Sequence, residues 1–386
     1  MTNHRRPYLV IPKLIKQNTW GGEYIASEKG IELLSERQIK LGQSYELFSG
    51  TKLALTNESK QYEIGFPDRD SIDSELSPII SESLTLSELI DESPEKTLGK
   101  EILINGKVMT LLLKLTQAKG NSFQLHIKPG IADPRWLSKS ETWYFFEKGT
   151  VTCGIAEGIS IKDYQDACVL IDQKMKEISL LVVGQKLLID EARIKASELI
   201  KEINPWQFVQ TKNAVEGEIF DMSRGGIHHS WEEDPTNNKG NILYEIQQDR
   251  MDPVSTIRAF DQGKIDDEGK IREINIDDYF KYLDVSSEVN MGDFSGKKNG
   301  ENNVFTTKDY AMDKIEFENK IKDSTEESFC HYYVKSGKVK VETDEGWVIV
   351  EKGWSCFVPA EVANEVHLES LVGGTILLKT YVPKVN

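Results

Sequence analysis

The stretch NSFQLHIKPG, residues 121–130, places a glutamine and a histidine two positions apart within an apolar alternation. On a β-strand, residues i and i+2 lie on the same face. Gln124 and His126 would therefore share one face, while the apolar side chains between them occupy the other. Two polar side chains that point together off one strand predict a site for water, a substrate or a metal ion.

The composition is that of a soluble globular protein and argues against two classes of partner. The chain has 386 residues and a formal net charge of −16. A strongly acidic surface disfavours nucleic acid and anionic membranes, although it leaves room for a local basic pocket that takes a small anion. The longest apolar runs fall far short of the roughly 18–20 residues of a membrane span. The N-terminus, MTNHRRPYLV, lacks the apolar core of a signal peptide.

The cysteines indicate the redox environment. The four of them are scattered and form no C-x-x-C pair, so we expect buried, reduced thiols in a cytoplasmic protein. They are Cys153, Cys168, Cys330 and Cys356.

Most of the chain shows short alternating stretches that end at turn residues, which is typical of β-strands. Residues 160–203 differ, because their apolar residues recur every three to four positions and predict two or three inserted helices. The acidic, Ser-rich stretch 67–98 predicts one or two short surface helices. Many short strands with one helical insertion favour one or two small barrels or double-sheet jelly rolls.

Further candidate metal ligands follow the Gln-x-His pair. Glu141 begins the stretch ETWYFFEKG, and the stretch GEIFDMSRGGIHH runs from Gly217 through a glycine turn to His228. Two imidazole nitrogens, a carboxylate and an amide oxygen suit Zn²⁺, and also Mn²⁺ or Fe²⁺. A buried histidine is often only structural, so the residue types alone leave both readings open.

The spacing resembles the two motifs of the cupin superfamily. The offsets from Gly217 to His228 match the second motif, with Ser223 where cupins usually carry proline. The strand around His126 and the segment that begins at Glu141 resemble the first motif, in which Gln124 takes the place of the first histidine.

The order of motifs over nearly the whole chain resembles that of the type I mannose-6-phosphate isomerases. These are zinc-dependent cupin enzymes that interconvert mannose 6-phosphate and fructose 6-phosphate. The matching stretches are NTWGG (18–22), LLLKL (111–115), NSFQLH (121–126), KSETWYFFE (139–147), GGIHH (225–229), and LYEIQQ (243–248) followed by IRAFD (257–261).

The resemblance implies a metal-dependent aldose–ketose isomerase with one Zn²⁺ per chain and a hexose phosphate as its small-molecule partner. Such a reaction moves a proton between C1 and C2, and it needs electrophiles for the developing negative charge. The implied metal ligands are Gln124, His126, Glu141 and His228. The implied catalytic residues are Arg258 and Lys139, and the implied substrate-binding residues are Lys114, Ser122 and Arg258.

The fold that the resemblance implies is mainly β, a double cupin of jelly-roll β-barrels with a helical insertion. The expected domains are a metal-bearing cupin domain over 1–157 and 204–284, a helical insertion over 158–203, a connector over 285–325, and a C-terminal degenerate cupin-like β unit over 326–386. The last unit carries Ala363 at the position of a ligand histidine, so we expect no metal there.

Two departures from the family pattern leave alternatives open. The family has an aspartate a few residues before the substrate arginine. Here the segment carries an apparent insertion, the position four before Arg258 is Val254, and Asp252 would take that role if the loop bulges. His229 follows His228, and a register shift of one residue would exchange them. The alternative functions are a cupin homologue that acts on another sugar or sugar phosphate, and a non-catalytic sugar-binding or regulatory homologue. The oligomeric state is left open.

Overall fold

β-strands dominate the structure, as the alternating apolar pattern predicts. The computed structural model describes residues 3–17, 20–31, 39–59, 75–76, 82–103, 106–230, 237–290, 301–326 and 328–384. The strands are β1 (Tyr8–Ile11), β2 (Lys13–Lys16), β3 (Leu41–Leu47), β4 (Lys52–Ala54), β5 (Glu75–Leu76), β6 (Ser83–Thr85), β7 (Leu111–Ala118), β8 (Phe123–Leu125), β9 (Glu141–Phe145), β10 (Gly149–Ile155), β11 (Val209–Ala214), β12 (Ile219–Asp221), β13 (His229–Ser230), β14 (Asn241–Gln248), β15 (Ile257–Phe260), β16 (Asn303–Thr306), β17 (Ala311–Phe317), β18 (Lys320–Asp323), β19 (Cys330–Ser336), β20 (Lys338–Thr343), β21 (Gly346–Glu351), β22 (Ser355–Val358), β23 (Val366–Ser370) and β24 (Thr375–Tyr381).

The helices are short except for two in the predicted insertion. They are α1 (Tyr24–Glu28), α2 (Leu86–Glu92), α3 (Pro94–Leu98), α4 (Lys100–Leu103), α5 (Ile161–Val183), α6 (Ile189–Ile203), a 3₁₀ helix (Pro205–Phe208), α7 (Asp252–Ser255), α8 (Ile276–Tyr282) and α9 (Ser287–Asn290). The Ser160 hydroxyl caps α5 by accepting from the Asp163 N–H. The left-handed Asn204 ends α6. The insertion is therefore a pair of helices, as the spacing predicts.

Contacts divide the chain into two compact units. Unit 1 comprises Met1–Gln117, Tyr244–Asp249 and Ser295–Asn386, and unit 2 comprises Ala118–Leu243 and Arg250–Phe294. The division into domains that the sequence predicts stays a prediction. No helix in the described part of the chain is long and apolar enough to cross a membrane.

Unit 1 is built on an eight-stranded sheet of order β16-β17-β24-β19-β22-β1-β4-β6 and a four-stranded sheet of order β18-β23-β20-β21. The N-terminal strand lies inside the larger sheet, because Leu9 is opposite both Cys356 and Ala54. The range 285–325, which the sequence predicts as a connector, contains β16, β17 and β18, and these strands belong to the two sheets. Residues 291–300 lie outside the described residues.

The acidic stretch predicted to form surface helices does contain helices, but they are partly buried. Thr85 and Glu88 form a capping box at the start of α2, in which each side chain bonds the other residue's backbone N–H. Leu86, Leu89 and Ile90 of α2 are buried. Residues 60–74 and 77–81 lie outside the described residues.

Unit 2 contains the sheet β11-β10-β13 and the antiparallel pairs β8–β15 and β9–β12. Its helical insertion packs on an aromatic core in which the Phe123 ring lies 5.1 Å from the Phe260 ring and 5.7 Å from the Trp206 ring. Leu125 and Ile127 belong to the same core. Since alternate residues face opposite sides of a strand, this burial turns the polar residues between them toward the other face.

The thiols behave as the sequence predicts. All four cysteines are buried, and none of them forms a disulfide. Burial raises the pKa of the Cys330 thiol to about 11, which keeps it protonated near neutral pH.

Unit 1 also contains a buried ion pair. Lys29 Nζ lies 2.7 Å from Glu46 Oε1, and both side chains are almost fully buried. The hydroxyls of Ser44 and Ser355 donate to the Glu46 carboxylate at 2.6 and 2.9 Å, and Lys29 Nζ donates to the Gly353 carbonyl at 2.5 Å. This pair ties the N-terminal residues of unit 1 to its C-terminal strands.

We expect Lys29→Met to lower the free energy of unfolding by about 3–5 kcal/mol, because it leaves the Glu46 carboxylate buried without its cation. Urea unfolding measures the change. The control is Lys162→Met, which breaks an exposed pair with Asp166 and should cost less than about 1 kcal/mol. Wild-type stability in Lys29→Met would contradict the prediction, and Lys29→Met combined with Glu46→Leu should recover most of the loss.

Candidate metal centre

Backbone pairing brings three candidate residues side by side. Gln124 of β8 is opposite Arg258 of β15. On its other side Gln124 forms an isolated bridge with His228, whose N–H donates to the Gln124 carbonyl at 2.9 Å. The predicted ligand pair and the predicted substrate arginine therefore occupy adjacent cross-strand positions in unit 2.

The four side chains predicted as metal ligands converge. The Gln124 amide donates from Nε2 to His228 Nε2 at 3.1 Å, and His126 Nε2 lies 3.1 Å from Glu141 Oε2. Among the described residues, one group of three histidine, cysteine or acidic side chains has the arrangement of a metal site. It consists of His126, Glu141 and His228, all buried, with their potential ligand atoms within 4.8 Å of one another.

Hydrogen bonds determine which ring nitrogens face the cluster. His126 Nδ1 lies 2.6 Å from the Ser255 carbonyl, which can only accept, so Nδ1 carries a proton and Nε2 faces Glu141. An amide nitrogen only donates, so His228 Nε2 accepts from Gln124 through its lone pair. Burial, with His126 nearby, lowers the pKa of His228 to about 3 and keeps it neutral.

The donor set fits a zinc ion. The two Nε2 atoms, the Glu141 carboxylate and an amide face one another, and imidazole nitrogen and carboxylate oxygen are common Zn²⁺ ligands. The second nitrogen of His126 donates to a carbonyl, which is the usual outer partner of a metal-bound histidine. These side chains are compatible with a metal ion.

Two further side chains hold the Glu141 carboxylate. Lys139 Nζ lies 2.7 Å from Oε2, and Trp143 Nε1 donates to Oε1 at 2.7 Å. Lys139 and Trp143 are themselves buried. Burying an unpaired carboxylate costs free energy. Each oxygen of Glu141 has a donor, which explains why this carboxylate can be buried here.

The turn before His228 is bonded to Glu141. The Ser223 hydroxyl accepts from the Glu141 N–H at 2.9 Å, and the Met222 N–H donates to the Glu141 carbonyl at 2.9 Å. Gly225 then adopts φ +80°, which favours glycine. Ser223 thus supplies a hydroxyl that links the two segments carrying the predicted ligands Glu141 and His228.

Arg258 is buried and held from three sides. Its Nη2 lies 2.6 Å from Asp252 Oδ2, its Nε donates to the Ser122 hydroxyl at 3.0 Å, and its Nη1 donates to the Thr256 carbonyl at 3.4 Å. Burial opposes ionisation of Asp252, but the Arg258 charge and a hydrogen bond with Thr256 outweigh it and lower the pKa of Asp252. Asp252 begins α7 and contacts Arg258 directly, which is the pairing that the sequence left as an alternative.

The remaining predicted residues divide between the units. Lys114 lies in unit 1, where its Nζ is 2.6 Å from Glu245 Oε2 and both side chains are buried. Its contact with a substrate stays a prediction. His229 turns away from the cluster, because its ring bonds Thr152 and Gln262.

Sequence reasoning missed the outer partners of the cluster. Trp143 carried a signal, since it lies two residues after Glu141 on the same strand and so shares its face. The Ser255 carbonyl carried none, because any residue supplies a carbonyl. Glu245 lies in the stretch LYEIQQ (243–248), but the sequence does not reveal that it pairs with Lys114.

Comparison with solved structures places this fold. No family model and no curated protein matches the sequence. Mannose 6-phosphate isomerase from Bacillus subtilis superposes with a TM-score of 0.63 at 16% identity, covering 97% of this chain and 99% of that one. The fold of this chain is that of the mannose 6-phosphate isomerases.

Two further structures of these isomerases agree. The enzyme from Salmonella typhimurium bound to fructose 6-phosphate and zinc, and a zinc-bound mannose 6-phosphate isomerase, each give a TM-score of 0.62 at 12% identity. Each comparison covers 97% of this chain and all of the other. The predicted fold class, mainly β of the cupin jelly-roll type with a helical insertion, is confirmed.

We expect His126→Ala to abolish zinc retention while the chain stays folded, because the change removes one nitrogen donor and leaves a gap beside Glu141. Elemental analysis of the purified variant, with circular dichroism as a check of folding, measures both. The control is His367→Ala, at a partly exposed histidine of unit 1. Full zinc content in the His126→Ala variant would refute the ligand assignment.

Trp143→Phe should weaken zinc binding about 10–100-fold, because the Glu141 carboxylate loses the donor on its Oε1. Competition with a chromogenic chelator gives the affinity. Trp206→Phe is a matched control, since it trims another buried tryptophan of unit 2 that packs in the aromatic core. Equal affinities in the two variants would show that the Trp143 hydrogen bond does not orient Glu141.

Proposed function

We propose that this protein is a zinc-dependent isomerase that interconverts mannose 6-phosphate and fructose 6-phosphate. One Zn²⁺ per chain would be held by the ligand set Gln124, His126, Glu141 and His228. The observation that carries the proposal is the convergence of these four side chains within a fold shared with isomerases of this class. The fructose 6-phosphate and zinc present in the Salmonella typhimurium structure support the choice of substrate and metal.

The chemistry needs positive charge beside the reacting carbons. Zinc, when bound, supplies a Lewis acid that stabilises negative charge on a substrate oxygen. Arg258 supplies a permanent cation, and its bonds to Asp252 and Ser122 fix the guanidinium before a substrate arrives. A fixed donor stabilises developing charge without reorganising, so Arg258 suits a catalytic role.

Lys139 is the second proposed catalytic residue. Its ammonium nitrogen is 2.7 Å from Glu141 Oε2, the carboxylate oxygen that faces His126. Lys139 therefore places a hydrogen-bond donor at the edge of the predicted ligand cluster. From there it can donate a hydrogen bond to a substrate oxygen. Arg258 is the proposed substrate contact within unit 2, and the sequence resemblance also assigns Ser122 to substrate binding.

The donor set disfavours a mononuclear iron oxygenase. Those enzymes use two histidines and one carboxylate and keep positions open for oxygen. An amide as a fourth protein ligand fits that arrangement poorly.

The buried cysteines, none of which forms a disulfide, suit a reducing compartment, and we propose a cytoplasmic location.

Two measurements on one preparation test the proposal. Elemental analysis gives the metal content, and a coupled assay follows conversion of mannose 6-phosphate to fructose 6-phosphate. Near-stoichiometric zinc with turnover that EDTA abolishes would support both the metal and the reaction. Zinc without turnover would point to another sugar or to a binding role, and absence of metal would refute the proposed ligand set.

We expect Arg258→Ala to lower turnover about 100- to 1,000-fold with zinc content unchanged, because a fixed cation beside the developing charge is lost. The coupled assay and elemental analysis measure the two quantities. Arg272→Ala, which removes a half-exposed arginine 3.6 Å from Asp261, is the control. Undiminished turnover in the Arg258→Ala variant would assign the cation to a different residue.

A further inference from the structure

We propose that Ser122 is a positioning residue that determines which end of the Gln124 amide faces the metal. The inference rests on the proposed zinc site and concerns how the chain prepares it. The sequence resemblance assigns Ser122 to substrate binding, whereas the geometry points to a role behind the ligand.

Ser122 links two residues of the site through one hydroxyl. Its Oγ donates to Gln124 Oε1 at 2.9 Å and accepts from Arg258 Nε at 3.0 Å. The residue is 1% exposed, so water cannot readily replace either bond. The hydroxyl is thus a buried junction between a proposed ligand and the proposed catalytic arginine.

The Gln124 amide has two chemically different ends. In this structure its Nε2 faces the cluster, at 3.1 Å from His228 Nε2, and its Oε1 faces Ser122. An amide can ligate a metal only through its oxygen, because its nitrogen carries two hydrogens and offers no lone pair. Binding zinc through this side chain therefore requires the amide with its ends exchanged, so that Nε2 faces Ser122.

A hydroxyl can serve both amide orientations, which few other side chains can do. Arg258 Nε only donates, so one Ser122 lone pair stays engaged whichever way the amide points. The remaining proton and lone pair are free to serve Gln124. With Oε1 toward it, the hydroxyl donates, and with Nε2 toward it, the hydroxyl rotates and accepts.

Removing the hydroxyl penalises the zinc-bound orientation in particular. An amide whose oxygen ligates a metal cannot exchange its two ends. Its N–H group would then be buried without an acceptor, which costs free energy. Without the metal, the amide remains free to choose either orientation. Ser122→Ala should therefore weaken zinc binding, by the factor of about 10–100 that is usual for partners of metal ligands.

The test measures zinc affinity in the absence of sugar, by competition with a chromogenic chelator. Ser122→Ala should bind zinc about 10–100-fold more weakly than the unmodified chain. Ser122→Thr, which keeps the hydroxyl, should restore affinity. The matched control is Ser230→Ala, a buried serine of unit 2 whose hydroxyl has no hydrogen-bond partner among the described residues, and it should leave affinity unchanged.

A double-mutant cycle separates positioning from general loss of structure. If Ser122 acts through the amide, Ser122→Ala should cause no further loss of zinc affinity in a Gln124→Ala background. The same loss in both backgrounds would overturn the proposal. The cycle also remains informative if the added methyl group prevents Ser122→Thr from folding.

The outcomes distinguish this inference from the proposed function. If the unmodified chain fails to bind zinc, the proposed function fails first. If it binds zinc and Ser122→Ala binds equally well, the positioning role is overturned while the isomerase proposal stands. A raised KM for mannose 6-phosphate with unchanged zinc affinity would likewise overturn it, and would return Ser122 to substrate binding.

Discussion

The buried carboxylate of Glu141 is the constraint on which the rest of the site depends. A carboxylate in the interior must be paired and hydrogen-bonded, and Glu141 meets this need through the Lys139 ammonium and the Trp143 indole. Its backbone is bonded in turn to the segment that leads to His228. One buried residue therefore contacts segments that are far apart in the sequence.

A second chain of bonds runs from Asp252 through Arg258 and Ser122 to Gln124. The Asp252 carboxylate can only accept and the Arg258 guanidinium can only donate. The Ser122 hydroxyl can both donate and accept, and the Gln124 amide can turn either its oxygen or its nitrogen toward a partner. The adjustable groups lie next to the proposed metal, and the fixed charges lie farther along. This order lets the ligand end adapt to an ion while the guanidinium keeps its place, which is what electrostatic preorganisation requires.

Local periodicity made part of this site predictable and left the rest out of reach. Residues two positions apart on a strand share a face, and this rule placed Gln124 and His126 together. The same rule applied to Glu141 predicts that Trp143 lies beside it. The fold class followed from the order of short motifs, although identity to the solved structures of the same fold is only 12–16%. The contact between Asp252 and Arg258 did not follow from their spacing in the sequence, because the short helix α7 lies between them. The Ser255 carbonyl was invisible, because a backbone group has no sequence signature.

Charge balance within the site bears on how an acidic chain could suit the anionic substrate that we propose. The cluster pairs Lys139 with Glu141 and Arg258 with Asp252, so its ionised side chains cancel in formal charge. His228 stays neutral because burial lowers its pKa to about 3. A bound Zn²⁺ would then add two positive charges to a region that is otherwise balanced, inside a chain with a net charge of −16. Attraction of the proposed substrate, a hexose phosphate, to this region would then depend on the proposed metal.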